Sequence, residues 1–144
     1  REKALSLLIQ ISGRSGRSGF GEVIIQTKNQ EFFDYYLNES NYEEFLQSEL
    51  EFRKDLYPPY LKMAKVTFSH TNGLKVKDEM DFYVKLFKQN KNIEVVGFGQ
   101  SPIFKIANKY RYEIILRSNN VKALLQTLHS INSANASIDM DTIY

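Results

Sequence analysis

The sequence predicts a mixed α/β (α+β) protein whose second part follows the βαββαβ order of a ferredoxin-like, split βαβ domain. Some segments place apolar residues at helical spacing, whereas others alternate apolar and polar residues as half-buried strands do. Hydrophobic residues make up 42% and charged residues 25% of the 144 residues, the ordinary composition of a globular protein. A pair of adjacent prolines separates the two parts.

The first part is predicted to contain three helices and one strand. Residues 2–12 have apolar residues at helical spacing and are followed by a Gly/Ser/Arg loop. Residues 22–27 form a β-branched run, which is typical of a strand in a buried sheet. Two helices rich in aromatic and acidic residues are expected between residues 30 and 55.

The helices of the first part are expected to stop at Pro58 and Pro59. Proline lacks a backbone N–H and bars the preceding residue from helical dihedrals. We therefore predict two domains, residues 1–56 and 57–144.

The second part is predicted to alternate strands with helices. The predicted strands are 61–69, 93–98, 103–107, 110–117 and 137–143, and the predicted helices are 74–89 and 121–131. A hairpin is expected around Asn108 and Lys109. In this order of elements, two helices cover one face of an antiparallel sheet.

Composition excludes several classes of protein. With no cysteine and only two isolated histidines, His70 and His129, the sequence predicts neither a disulfide framework nor a metal site. No apolar run approaches the ~18 residues of a membrane span. Residues 61–144 carry twelve Lys/Arg against seven Asp/Glu, which fits contact with phosphates, contact with an acidic peptide, or simply a solvated charged surface.

The sharpest motif is QISGRSGR, which runs from Gln10 to Arg17. Its two arginines, Arg14 and Arg17, are three residues apart in a glycine-containing segment, so both guanidinium groups could reach one triphosphate. Phosphoryl transfer develops negative charge on the γ-phosphate, which an arginine stabilises. The alternative is a basic loop without a catalytic role.

The motif resembles motif VI, QxxGRxGR, of superfamily-two helicases. The resemblance implies that Gln10, Gly13, Arg14 and Arg17 belong to an ATP-binding surface. It further implies that Arg14 and Arg17 are catalytic and contact the γ-phosphate, with Arg17 as the candidate arginine finger.

Further segments extend this resemblance over essentially the whole chain. They are GEVIIQT, ELEFRKDLYPPY, VVGFGQSPIFKIANKYRYEIILRS and the terminal IDMDTIY. Together they resemble the C-terminal third of the primosomal replication-restart helicases, the PriA family. Residues 1–56 would then complete a RecA-like helicase lobe, and residue 1 would be a cut through a larger protein.

The resemblance also implies an activity for the intact protein. That protein would be an ATP-dependent 3′–5′ DNA helicase of the bacterial cytoplasm, associated with the nucleoid and active in replication restart and primosome assembly. It would use ATP with Mg²⁺ and hold zinc upstream of this chain. The chain alone would bind none of these cofactors and hydrolyse no ATP. The alternative is a non-catalytic module that binds nucleic acid or docks proteins.

Basic and aromatic residues interleave in the predicted hairpin. The basic members are Lys105, Lys109, Arg111 and Arg117. Cations of this kind meet phosphates, and rings can stack on unpaired bases. Strand alternation, however, sends Tyr110 and Tyr112 to the face opposite Lys109 and Arg111, so we expect these rings in the core.

The resemblance implies partners for this region. They are branched and single-stranded DNA, the acidic tail of single-stranded-DNA-binding protein, and other primosome proteins, with no membrane. Lys122 and Arg111 are the residues that we expect to contact the acidic tail. The alternative for Lys122 is a solvated helix residue.

Overall fold

The computed structural model describes residues 1–15, 19–37 and 41–140. The chain divides into two compact units, residues 1–52 and 53–144. The structure is mixed α and β, as predicted, with five helices and one four-stranded antiparallel sheet among the described residues. The assignment of residues 1–56 to a helicase lobe stays a prediction.

The first unit contains three helices at the predicted places. They are α1 (Glu2–Ser12), α2 (Gln30–Tyr36) and α3 (Tyr42–Arg53). Leu5 and Phe45 are fully buried, and the Phe45 ring packs edge-on against Phe32 with centroids 5.8 Å apart. Helices this short are only marginally stable in isolation. Packing between aromatic rings therefore contributes to their stability.

The prediction of a strand at residues 22–27 is wrong. These residues form no strand, and Ile24 keeps 87% of its surface exposed. A strand is stabilised by hydrogen bonds to a neighbouring strand, and the described residues of the first unit contain only helices as regular elements. A β-branched apolar run without a partner strand does not form one.

The second unit has the predicted ferredoxin-like order. Its elements are β1 (Lys62–His70), α4 (Gly73–Lys88), β2 (Glu94–Ile106), β3 (Lys109–Ser118), α5 (Val121–His129) and β4 (Ala136–Met140). The strand order is β2-β3-β1-β4, and every neighbouring pair is antiparallel. The predicted extension of β4 beyond residue 140 lies outside the described residues.

One face of the sheet packs against α4 and α5. Val66 of β1 pairs with Ile114 of β3, and both are fully buried in the same cluster as Val76 of α4 and Leu124 of α5. Because side chains alternate along a strand, the intervening residues lie on the second face of the sheet. Arg111 and Arg117 are among them.

Asparagine side chains begin both helices of this unit. Asn72 Oδ1 accepts from the backbone N–H groups of Leu74 at 3.0 Å and Lys75 at 3.2 Å. Asn120 Oδ1 accepts from the N–H of Ala123 at 3.0 Å. These bonds satisfy N–H groups that have no partner within the helix.

Strand β2 is longer than predicted. The segments predicted as separate strands, 93–98 and 103–107, form one strand of 13 residues with register shifts after Val95 and after Gln100. Bulges of this kind absorb residues that interrupt a regular ladder, and an edge strand tolerates Pro102 because it need not donate on its outer side. The glycines and proline bend the strand without ending it.

The hairpin turns one residue earlier than predicted, at Ala107 and Asn108. Their φ values are 48° and 61°. Positive φ at both central residues is the requirement of a type I′ turn, whose twist matches that of the flanking strands. This turn sets the pairing of Lys105 with Tyr110 and of Ile106 with Lys109.

Candidate functional site

Gln10, Gly13 and Arg14 lie at the C-terminal end of α1. Gly13 caps the helix with φ −69°, and its N–H donates to the Ile9 carbonyl at 3.0 Å. Gln10 and Arg14 are both exposed; Gln10 belongs to the last turn of α1, whereas Arg14 lies in the turn after the helix, where its N–H donates to the Ile11 carbonyl at 3.1 Å. Arg17 lies outside the described residues.

This end of a helix carries negative partial charge. It therefore stabilises the Arg14 cation but does not itself attract phosphate, which binds at helix N-termini. Within the part of the chain that the structure describes, Arg14 has no carboxylate within 4.0 Å. The Arg14 guanidinium is thus available for an external anion. Any attraction of phosphate to this end of α1 must come from arginine side chains and not from the helix dipole.

Three predicted basic residues lie near the end of the β2–β3 hairpin, but on opposite faces of the sheet: Lys105 pairs with Tyr110 and shares its helix-covered face. Lys105 lies with its Nζ 4.6 Å from the centre of the Tyr110 ring and 3.5 Å from Tyr110 Oη. Lys109 and Arg111 occupy alternate positions of β3 and so share the second face. None of the three cations forms an ion pair within the described ranges of the chain. The hairpin therefore presents two positive charges on the second face of the sheet and one on the first.

The tyrosines of this hairpin belong to the core, as predicted. Tyr112 is 8% exposed, and Phe104 packs against Tyr110 and Tyr112 at 5.4 and 5.5 Å. The Tyr110 ring also lies against Gly73 at the start of α4. Tyr112 is too buried to stack on a nucleic-acid base, and the Tyr110 ring is partly covered by Phe104 and Lys105.

Arg117 is engaged within the protein. Its Nη2 and Nε donate to the Glu94 carboxylate at 2.7 and 3.0 Å, and its Nη1 donates to the Leu56 carbonyl at 2.9 Å. The Arg117 side chain is only 14% exposed. All three guanidinium nitrogens thus have a partner, which leaves little of the group for a DNA phosphate.

Lys122 is exposed on the first turn of α5. Strand β3 ends at Ser118, just before this helix begins. Arg111 is seven residues earlier in the same strand, a distance of about 23 Å. In addition, Arg111 is on the second face of the sheet, whereas α5 packs on the first. The structure therefore does not bring Lys122 and Arg111 together as one site for an acidic tail.

A shallow polar depression near Lys122 was not predicted. It is lined mainly by polar and charged residues, namely Asp55, Lys91, Asn92, Glu94, Arg117, Ser118 and Asn119. Ser118 Oγ donates to the Asn92 carbonyl at 2.6 Å and closes one side. The lining comes from segments up to 64 residues apart in the sequence, so only the pairing of β2 with β3 could have revealed it.

Within residues 1–15, 19–37 and 41–140, no three His, Cys, Asp or Glu side chains cluster as ligands of a metal ion. In the same residues, no helix has the length and apolar character needed to cross a bilayer. Asp139 of β4 forms an ion pair with Lys65 of β1 at 3.5 Å.

The sequence matches proteins of replication restart. Residues 54–143 match the family model described as the primosomal protein N C-terminal domain. Replication restart protein PriA of Helicobacter pylori strain 26695 is 35% identical over 99% of the chain and 23% of the relative's length. PriA of Bacillus subtilis is 34% identical over 90% of the chain and 17% of that relative.

A third relative, PriA of Borreliella burgdorferi, is 32% identical over 99% of the chain and 22% of its own length. The chain thus spans less than a quarter of the length of these curated relatives. The family model covers more than half of the chain and coincides with the ferredoxin-like unit. The chain therefore belongs to the PriA family, and residues 54–143 form that family's C-terminal domain.

Proposed function

We propose that the chain is part of a bacterial replication-restart helicase. In this proposal the second unit binds DNA and partner proteins, and the segment Gln10–Arg17 takes part in ATP hydrolysis by the intact protein. The observation that carries the proposal is the PriA-family match over residues 54–143, supported by relatives named replication restart proteins that align with up to 99% of the chain.

The ATP-related part of the proposal rests on motif VI. Gln10 and Arg14 are both exposed near the C-terminal end of α1, and Arg14 has a guanidinium available for an anion. Two arginines acting on a γ-phosphate would stabilise charge that develops during phosphoryl transfer. The phosphate-binding loop, the Mg²⁺ ligands and the zinc site are proposed for other parts of the intact protein. The chain alone would hydrolyse no ATP.

The DNA-related part rests on the hairpin. Lys105, Lys109 and Arg111 project from it without intramolecular ion pairs in the described part of the chain. Binding of such cations to DNA phosphates releases condensed counterions, so affinity falls steeply as salt rises. Branched and single-stranded DNA are the proposed ligands. Arg117 is not part of this proposed surface, because its donors are occupied by Glu94 and Leu56.

The partner-related part concerns the acidic tail of single-stranded-DNA-binding protein and other primosome proteins. Lys122 is the proposed contact for the tail, because it is exposed and follows closely on residues that line the polar depression. Arg111 lies too far away to contribute to the same contact. An acidic tail held at Lys122 would leave the hairpin able to bind DNA at the same time.

A salt titration tests the DNA-binding part. The chain is titrated against labelled forked and single-stranded DNA at several salt concentrations, with fluorescence anisotropy as the readout. Lys109→Gln and Arg111→Gln should each weaken binding to all sequences and reduce the salt slope by about one. Lys77→Gln is the control, since that cation is paired with Asp81 at 2.6 Å. Absence of salt-dependent DNA binding, with retained binding to an acidic peptide, would instead indicate a protein-docking domain.

A further inference from the structure

A row of aromatic and basic side chains follows the exposed side of α4 to the edge strand β2. The row comprises Phe82, Lys85, Lys88 and Phe98, and we call it the α4 ridge. An α-helix turns by about 100° per residue, so each step of three residues rotates the side-chain direction by about 60°, always the same way around the axis. Lys85 therefore lies between Phe82 and Lys88 around the helix. Lys88 Nζ lies 5.0 Å from the centre of the Phe98 ring, which joins the row to β2.

Both rings are exposed although nearby aromatic residues are buried. Phe82 is 61% and Phe98 is 50% exposed, whereas Phe87 of the same helix is 1% exposed. Phe98 pairs with the fully buried Ile114, so it is on the helix-covered face, but β2 is an edge strand and the ring extends beyond the core. The two rings therefore contribute contact area to the surface.

The charge of the ridge is positive and uncompensated. Residues 82–93 contain three lysines and no acidic residue. Within the described residues, neither Lys85 nor Lys88 is within 4.0 Å of a carboxylate. The nearest acidic residue before this segment, Asp81, is paired with Lys77 at 2.6 Å. A partner of this surface should therefore be anionic.

The shape of the ridge favours one kind of anion. An acidic peptide with apolar side chains needs a concave pocket to bury them, and the polar depression of the second unit does not include the two rings. A nucleic-acid base, in contrast, needs only one exposed ring face on which to stack, and its backbone supplies a phosphate for each nearby cation. Two adjacent ammonium groups with an exposed ring at each end of the row match that ligand.

We propose that the α4 ridge binds single-stranded nucleic acid, with bases stacked on its two rings and phosphates paired with its two ammonium groups. An incoming base would displace Lys88 from the Phe98 ring. That exchange is favourable because an exposed cation–π contact contributes about 0.5–1 kcal/mol and base stacking about 1–3 kcal/mol. The proposal rests on the proposed DNA-binding function but assigns it to a surface other than the hairpin.

The test compares two labelled probes that have the same number of phosphates. One is a thymidine oligonucleotide of about ten nucleotides, and the other is an abasic oligonucleotide of the same length. In fluorescence anisotropy titrations of the 144-residue chain, Phe98→Leu should weaken thymidine binding at least about fivefold and leave abasic binding unchanged. Phe82→Leu is a second variant with the same expectation. Phe20→Leu, another exposed ring, is the matched control.

The lysines are tested by the salt dependence of binding. Lys85→Gln combined with Lys88→Gln should lower affinity for both probes and reduce the salt slope by about 1.4 in total, since each single-strand phosphate contact contributes about 0.7. Lys3→Gln, an exposed lysine of α1, should leave the slope unchanged. Circular dichroism of each variant confirms that the fold is retained, as expected for substitutions at exposed positions.

Three outcomes would overturn the proposal. If Lys109→Gln and Arg111→Gln abolish binding while the ridge variants bind normally, the hairpin is the site and the proposed function stands. If the wild-type chain binds neither probe, the proposal fails together with the DNA-binding function. If the ridge variants lose binding to a labelled glutamate-rich peptide and the wild-type chain does not bind thymidine, the ridge contacts a protein.

Discussion

Arg117 of β3 donates two hydrogen bonds to the Glu94 carboxylate of β2, from Nη2 at 2.7 Å and from Nε at 3.0 Å. The two residues are directly opposite each other in the antiparallel pair. A two-pronged arginine–carboxylate pair of this kind fixes orientation as well as distance. The pair stabilises the end of the β2–β3 ladder at the rim of the polar depression.

This pair predicts a structural effect of mutation. Arg117→Ala should lower the free energy of unfolding by about 2 kcal/mol, because it removes three charge-assisted hydrogen bonds from a side chain that is 14% exposed. Urea denaturation followed by circular dichroism measures the change. Lys77→Ala, which breaks the more exposed pair with Asp81, should cost at most about 0.5 kcal/mol. An Arg117→Ala variant that keeps its stability but loses DNA affinity would contradict our interpretation.

The hairpin turn predicts a stabilising substitution. Ala107 adopts φ 48°, a conformation that costs residues with a Cβ atom roughly 1–2 kcal/mol. Ala107→Gly should therefore raise the free energy of unfolding by about 1 kcal/mol in the same urea experiment. Ala123→Gly, within α5, should have the opposite sign, since glycine destabilises a helix by about 1 kcal/mol. Destabilisation by Ala107→Gly would refute the turn geometry.

The cap of α4 predicts that stability depends on whether residue 72 has a side-chain hydrogen-bond acceptor. Asn72→Ala removes an acceptor for two backbone N–H groups and should cost about 1 kcal/mol. Asn72→Asp keeps the acceptor and should remain near wild type. Thermal unfolding of both variants makes the comparison. Equal stability of the two would mean that the side chain does not cap the helix.

The order of elements in the second unit could be predicted because each one has a clear period. Alternation marks β1, and apolar residues at helical spacing mark α4. The length of β2 could not be predicted, since Gly99 and Pro102 are residues that normally end a strand. Only its pairing with β3 shows that the ladder continues past them through shifts in register.

The candidate site could be predicted only in part. Sequence spacing singled out Arg14 and the basic hairpin as candidates, but it treated Arg117 as equivalent to Arg111. Their difference depends on Glu94, which is 23 residues from Arg117 and meets it only through the strand register. The strand predicted at residues 22–27 failed for a related reason, because a local pattern does not reveal whether a partner strand is present.

We propose that the chain completes the ATP site of an intact replication-restart helicase. The most direct test is the DNA-dependent ATPase rate of the intact protein with Arg17→Ala and with Arg14→Ala, compared with Lys3→Gln as the control. We predict that Arg17→Ala lowers kcat by about 10³-fold or more while DNA binding is retained, because an arginine on the γ-phosphate contributes that much. An unchanged ATPase rate in both arginine variants would contradict the claim and leave the segment as a basic loop.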